Sequence, residues 1–106
     1  MSDPVAEALR ELRREYHAES PARVAELQRG LAALSAGEDG AETGLTMLFH
    51  RLAGSGGAYG FPQVSATARE LERLLRSEPH WTPARLAEVR AGIQEIADAF
   101  NQGGPG

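Results

Sequence analysis

Residues 45–61, with the sequence LTMLFHRLAGSGGAYGF, carry the clearest structural signal in this chain. Their larger apolar side chains recur every three or four residues, which predicts one face of a helix that ends near Gly60. Four glycines, at positions 54, 56, 57 and 60, fall within or at the end of this pattern. A glycine inside a helix costs about 1 kcal/mol relative to alanine. We therefore expect these glycines to have a role that offsets their cost.

Helical patterns continue on both sides of this stretch. Asp3-Pro4, Ser20-Pro21 and Thr82-Pro83 each combine a capping residue with a proline, and Pro62 follows the glycine-rich segment. Such pairs are typical of helix starts. No segment alternates polar and apolar residues for long enough to predict a strand. We predict an all-α fold, an antiparallel up-down-up-down four-helix bundle with a short additional N-terminal helix.

Length and composition limit the possible functions. The 106 residues predict one domain, with a helical bundle at residues 1–101 and a flexible tail at residues 102–106. The net charge of −4 is the wrong sign for binding nucleic acid or an anionic membrane. The absence of cysteine excludes disulfides and thiol chemistry. Without a leader-like N-terminus or an apolar run of roughly 18 residues, a cytoplasmic location is expected.

His50 is predicted to lie on the solvent side of the helix formed by residues 45–61. At about 100° per residue, it points roughly 150° away from the apolar face. Long charged side chains usually occupy such a surface. Here its residues are small, namely Thr46, Ala53, Gly54 and Gly57. Gly56 instead lies on the inward face, where it would permit a neighbouring helix to approach closely.

Glu72 is predicted to lie beside His50. If the chain reverses at Gly60 and Phe61, positions whose numbers add up to about 121 are level on the two helices. A carboxylate that accepts a hydrogen bond from Nδ1–H would leave Nε2 as an unprotonated nucleophile. The other interpretation of Glu72 is an ordinary ion pair with Arg69 or Arg76, and both arrangements could hold at once.

The run from His50 to Phe61 resembles the active-site helix of histidine phosphotransfer (HPt) domains. The matching residues are His50, Leu52, Gly54, Gly60 and Phe61, in a helical context. The ending Tyr59-Gly60-Phe61, together with Glu72, is most similar to the HPt domain of chemotaxis-type histidine kinases. The resemblance implies that His50 accepts a phosphoryl group and that Glu72 hydrogen-bonds to it. One departure is Ala53, because HPt domains usually have a lysine three residues after the histidine.

The resemblance implies a phosphorelay carrier without an ATP site, and therefore not an enzyme. It would move a phosphoryl group between receiver-domain aspartates, or from a histidine kinase to a receiver. No cofactor of its own is expected, whereas Mg²⁺ is expected on the partner receiver. We expect a monomer whose partner docks on the glycine-rich face, at Met47, Ala53, Gly54, Gly57, Phe61 and Arg69.

Other kinds of site were weighed against this interpretation. His17 and His80 share no ligand spacing with His50, so no metal site is predicted. The glycines at 54–57 lack the preceding strand and the lysine of a nucleotide-binding phosphate loop. The alternative function is a binding module of HPt shape that docks a receiver or another signalling partner without carrying phosphate. Ala53 is the feature that favours this alternative.

Overall fold

The computed structural model of the chain describes residues 3–77 and 80–103, and within these ranges all regular secondary structure is helical. Five helices are described: α1 (Pro4–Ala18), α2 (Ser20–Ser35), α3 (Ala41–Ala58), α4 (Pro62–Ser77) and α5 (Pro83–Gln102). The all-α prediction is confirmed. Of the predicted tail at residues 102–106, Gln102 still belongs to α5, and residues 104–106 lie outside the described residues.

Capping and proline residues explain where the helices begin. The Asp3 carboxylate accepts the backbone N–H of Val5, and the Thr82 hydroxyl accepts that of Arg85, so both side chains cap a helix that begins with proline. Ser20 is instead the first residue of α2, and Glu19 occupies its cap position. Between α3 and α4, Gly60 adopts a φ of 83°, which glycine tolerates and other residues rarely adopt.

The helices α2 to α5 enclose the hydrophobic core. α3 packs against α2 and α4, and α5 packs against the same two helices. The closest partners are α3 and α4, which are antiparallel: Gly56 near the end of α3 faces Val64 near the start of α4. The up-down order of all four helices stays a prediction. The largest fully buried side chains are Leu27, Leu45, Phe49, Val64, Leu75, Val89, Ile96 and Phe100.

The helix α1 differs from the short helix that was predicted. It has 15 residues, one fewer than α2, and the apolar side chains in its first half, Val5, Leu9 and Leu12, are exposed. Only its last turn joins the core, where the Tyr16 ring stacks on Tyr59 at 4.6 Å between centroids. The Tyr16 hydroxyl also lies 2.7 Å from Oγ of Ser55. These contacts hold the C-terminal half of α3 in place.

Candidate functional site

His50 and Glu72 form the centre of the candidate site. Nδ1 of His50 on α3 lies 3.0 Å from Oε2 and 3.3 Å from Oε1 of Glu72 on α4. The imidazole side chain is 62% exposed, whereas the carboxylate side chain is only 12% exposed. The structure thus brings together the two residues that the helix register predicted to be level. A mostly buried carboxylate holds one nitrogen of an accessible ring.

Glu72 also pairs with Arg76, one turn further along α4. Nε and Nη2 of Arg76 donate to Oε2 of Glu72 at 3.0 and 2.9 Å. Burial of the Glu72 carboxyl raises its pKa, but the hydrogen bonds from Arg76 and His50 and their charges outweigh this effect. The net result is a Glu72 pKa below its ordinary value, so the group is a carboxylate at neutral pH. Both arrangements considered from the sequence therefore coexist, with Arg76 and not Arg69 as the ion-pair partner.

The second ring nitrogen of His50, Nε2, is the one that Glu72 does not contact. An ionised carboxylate can only accept hydrogen bonds, so its contact with Nδ1 selects the tautomer with the proton on that nitrogen. The lone pair is then on Nε2, for which no hydrogen-bond partner is found among the described residues. With the ring mostly exposed, this lone pair is accessible to an electrophile on another molecule.

The glycines of α3 leave one side of the site open. An added Cβ at Gly54, one turn after His50, would have no neighbouring atom within 4 Å. Gly57 is also exposed, although an added Cβ there would lie 3.3 Å from Oγ of Ser65. Gly56 is buried, and its Cβ would lie only 3.2 Å from the backbone nitrogen of Ser65. The predicted close approach of a neighbouring helix at Gly56 is confirmed.

Ala53, a predicted docking residue, and Thr46, which was predicted to lie on the solvent side of α3, are both buried. Ala53 is 5% exposed, and Thr46, seven residues before it on the same flank of α3, is also buried. Because Gly56 lets α4 come close, α4 covers this flank, and Oγ of Ser65 donates to the Ala53 carbonyl at 2.6 Å. The angles of an isolated helix wrongly predicted that the flank of α3 with Thr46 and Ala53 is exposed to solvent. Ala53 and Thr46 are corrected to buried positions.

Phe61 is the second docking prediction that the structure corrects. Its side chain is 2% exposed, and its ring packs against those of Tyr16 and Phe100, with centroid distances of 5.7 and 5.3 Å. The ring of His17 stacks on it from α1. Phe61 precedes α4 in a tight turn, and α1 covers this turn. Periodicity within α3 and α4 could not show this cover, because it comes from a different helix.

The remaining predicted docking residues are exposed. Met47, almost one turn before His50, is 42% exposed, and Gly54 and Gly57 leave the opposite side open. Arg69 is exposed on α4, where its Nη2 donates to Oγ of Ser65 at 3.4 Å. The predicted docking surface is therefore reduced to four exposed residues, Met47, Gly54, Gly57 and Arg69.

Neither a metal centre nor a membrane span is found in the part of the chain that the structure describes. Among residues 3–77 and 80–103, no three His, Asp or Glu side chains converge as metal ligands. Within the same ranges, no helix combines the length and hydropathy that a bilayer crossing requires. His17, one of the histidines outside the site, has its Nε2 2.8 Å from the carbonyl oxygen of Phe100 and so has a structural contact.

Comparison with known families agrees with this geometry. The model of the Hpt domain family matches residues 11–99, which include all of α2, α3 and α4, about half of α1 and most of α5. No curated protein and no solved structure gives a significant match. The family match covers most of the chain, and its members are phosphocarrier modules of two-component signalling that interact with receiver domains and histidine kinases. The chain belongs to the Hpt domain family and is a histidine phosphotransfer module.

Proposed function

We propose that this module carries a phosphoryl group on Nε2 of His50, between the aspartates of two receiver domains. The observation that carries the proposal is the His50–Glu72 pair. The carboxylate holds Nδ1 at 3.0 Å, while the other nitrogen of a 62% exposed ring remains open. A lone histidine on a surface helix would have no such orienting partner.

The transfer step follows from this geometry. The Nε2 lone pair attacks phosphorus of the receiver's aspartyl phosphate, an N–P bond forms, and the P–O bond to the aspartate breaks. The aspartate leaves as a carboxylate with the electron pair of that bond. The proton on Nδ1 stays in place, and the negative charge of Glu72 offsets the positive charge that the ring gains. In the reverse step an aspartate of another receiver attacks the same phosphorus.

The shape of the surface supports a receiver as the partner. To attack an aspartyl phosphate of another domain, the imidazole must come within bonding distance of its phosphorus. The bare backbone at Gly54 and Gly57 leaves room for the rim of the partner domain around the ring. In this proposal the receiver brings Mg²⁺ and most of the charge stabilisation, and this module contributes the positioned nucleophile. The protein acts as a cytoplasmic monomer with its helices in up-down order.

A histidine kinase is the other possible donor for the same site. The ending Tyr59-Gly60-Phe61 and the position of Glu72 are similar to the phosphotransfer domain of chemotaxis-type kinases. Two donors should be compared: a phosphorylated receiver, and a kinase catalytic domain with ATP. Faster labelling by the receiver supports the relay role, and labelling by the kinase alone would make the module a kinase substrate.

The direct test is phosphorylation of the purified protein by a receiver domain charged with acetyl phosphate. Wild-type protein should acquire an acid-labile label, and His50→Gln should not. The matched control is His17→Gln, which should label like the wild type because this histidine is held by Phe100 outside the site. Equal labelling of wild type and His50→Gln would contradict the assignment.

Ala53 supports a second candidate, a binding module that never carries phosphate. The family's usual lysine is missing, and the alanine side chain at this position is buried. This candidate predicts that wild type and His50→Ala bind a receiver equally well and that no phosphohistidine forms. Binding by calorimetry together with phosphate analysis by mass spectrometry separates the two functions.

A further inference from the structure

A phosphoryl group on His50 would bring substantial negative charge close to another anion. A protein-bound phosphoryl group carries about −1.5 to −2 charges at neutral pH. Glu72, which holds the same ring, is itself a carboxylate. The repulsion between them needs a nearby cation, and the position where HPt domains usually supply one is Ala53.

Arg69 lies on α4 roughly level with position 53, but its hydrogen bond to Ser65 directs it away from His50. Its Nη2 donates to Oγ of Ser65, and that oxygen donates in turn to the carbonyl of Ala53. Side chains on a helix lean toward its N-terminus. Since α4 runs antiparallel to α3, this direction leads from Arg69 toward Gly57 and away from His50.

The side chain of Arg76, unlike that of Arg69, is directed toward His50. The same lean brings its guanidinium back to Glu72, where Nε and Nη2 both donate to Oε2. Nδ1 of His50 contacts this same oxygen at 3.0 Å. Since both nitrogens lie within 3.0 Å of one atom, Nη2 of Arg76 and Nδ1 of His50 are no more than about 6 Å apart. Among the described residues, Arg76 is the arginine that hydrogen-bonds to an atom which the His50 ring also contacts.

The guanidinium of Arg76 retains unused donors. An arginine presents five N–H groups on a planar fork, and a carboxylate on the Nε–Nη2 edge leaves Nη1 and the second N–H of Nη2 free. No partner for Nη1 of Arg76 is found within the described residues. The side chain is 57% exposed, so it can pivot without disturbing the core. One edge can hold Glu72 while the other meets phosphoryl oxygens.

We infer that Arg76 is the residue that stabilises the phosphoryl group on His50 in this chain, in place of the missing lysine at position 53. The inference rests on the proposed function of His50. Arg76 keeps the Glu72 carboxylate oriented toward Nδ1, and its free edge offsets the charge that arrives at Nε2. The cation comes from α4 instead of from α3.

The test uses phosphoramidate as the donor, because it transfers a phosphoryl group to an imidazole nitrogen with loss of ammonia and without a partner protein. The rate of phosphohistidine formation is measured for wild type, Arg76→Gln, Arg76→Lys and the matched control Arg73→Gln. Arg73 is exposed on the same helix, and no hydrogen bond or ion pair joins it to Glu72 or His50 in the described part of the chain. Circular dichroism and thermal unfolding establish that each variant is folded.

Arg76→Gln should form phosphohistidine about tenfold more slowly than wild type, because it loses the positive charge that lies next to the His50 ring. Arg76→Lys should recover part of this rate, and Arg73→Gln should equal wild type. A purely structural role would not be rescued by lysine. A wild-type rate in Arg76→Gln would overturn the inference and leave the proposed function intact. Absence of label on wild-type His50 from phosphoramidate and from a phosphorylated receiver would overturn both.

Discussion

Two substitutions of Gly54 test its effect on the stability of α3 and its role in docking separately. The first, Gly54→Ala, concerns stability. Gly54 lies inside α3, and an added Cβ would meet no atom within 4 Å. Alanine loses less backbone entropy on folding than glycine, so the substitution should raise the free energy of unfolding by about 1 kcal/mol. For a domain of this size, that gain corresponds to an increase in Tm of roughly 4–8 °C. Urea unfolding followed by circular dichroism measures it.

Gly56→Ala is the matched control, two residues further along the same helix. It gains the same backbone entropy, but its Cβ would lie 3.2 Å from both Ser65 N and Val64 Cγ1. The first of these is a backbone atom of α4, which cannot move aside alone. Overpacking of this kind costs about 1–3 kcal/mol. Gly56→Ala should therefore be less stable than Gly54→Ala and no more stable than wild type.

The functional half of this prediction uses Gly54→Gln, which introduces a long side chain with good helix propensity. This variant should remain as stable as wild type. It should accept phosphate from phosphoramidate at the wild-type rate but from a phosphorylated receiver several times more slowly. Loss of stability in Gly54→Ala would refute the reasoning about open space. Transfer from the receiver at the wild-type rate in Gly54→Gln would refute the role of this glycine in docking.

Two further predictions concern the contacts that support the site. The pKa of Glu72 is lowered in the folded protein, so its stabilisation is fully present above the unfolded value of about 4.5 and is lost as the pH falls through the folded value. At pH 7, Glu72→Gln should therefore lower the free energy of unfolding, measured in urea, by about 1 kcal/mol. A difference between variant and wild type that does not shrink by pH 3 would contradict the lowered pKa of Glu72. Tyr16→Phe removes the 2.7 Å hydrogen bond to Ser55, which should cost about 1 kcal/mol. Unchanged stability of Tyr16→Phe would show that this bond does not help to hold α3.

Local rules predicted much of the fold and the central pair of the site. Proline and capping residues mark the starts of α1 and α5 because their effects act within a few residues. The register between α3 and α4 follows from the position of Gly60, since a tight turn leaves little freedom in how two helices align. This geometry was sufficient to place Glu72 beside His50.

Features that depend on a third element could not be predicted in the same way. Phe61 is buried because α1 folds over the turn between α3 and α4, and no periodicity within those helices reports this cover. Ala53 is buried because Gly56, which has no side chain, lets α4 approach α3 closely and cover this flank. Arg76 was anticipated only as an ordinary ion-pair partner. Its closeness to the ring depends on an oxygen of Glu72 that both side chains share.

The position of phosphate on the imidazole tests the account most directly. After incubation with a phosphorylated receiver, long-range ¹H–¹⁵N and ³¹P NMR spectra of the labelled protein identify which residue and which ring nitrogen carry the group. The contact between Nδ1 and Glu72 predicts a single phosphohistidine at His50, substituted at Nε2. Phosphate on Nδ1, phosphate on His17 or His80, or no phosphate at all would contradict the account.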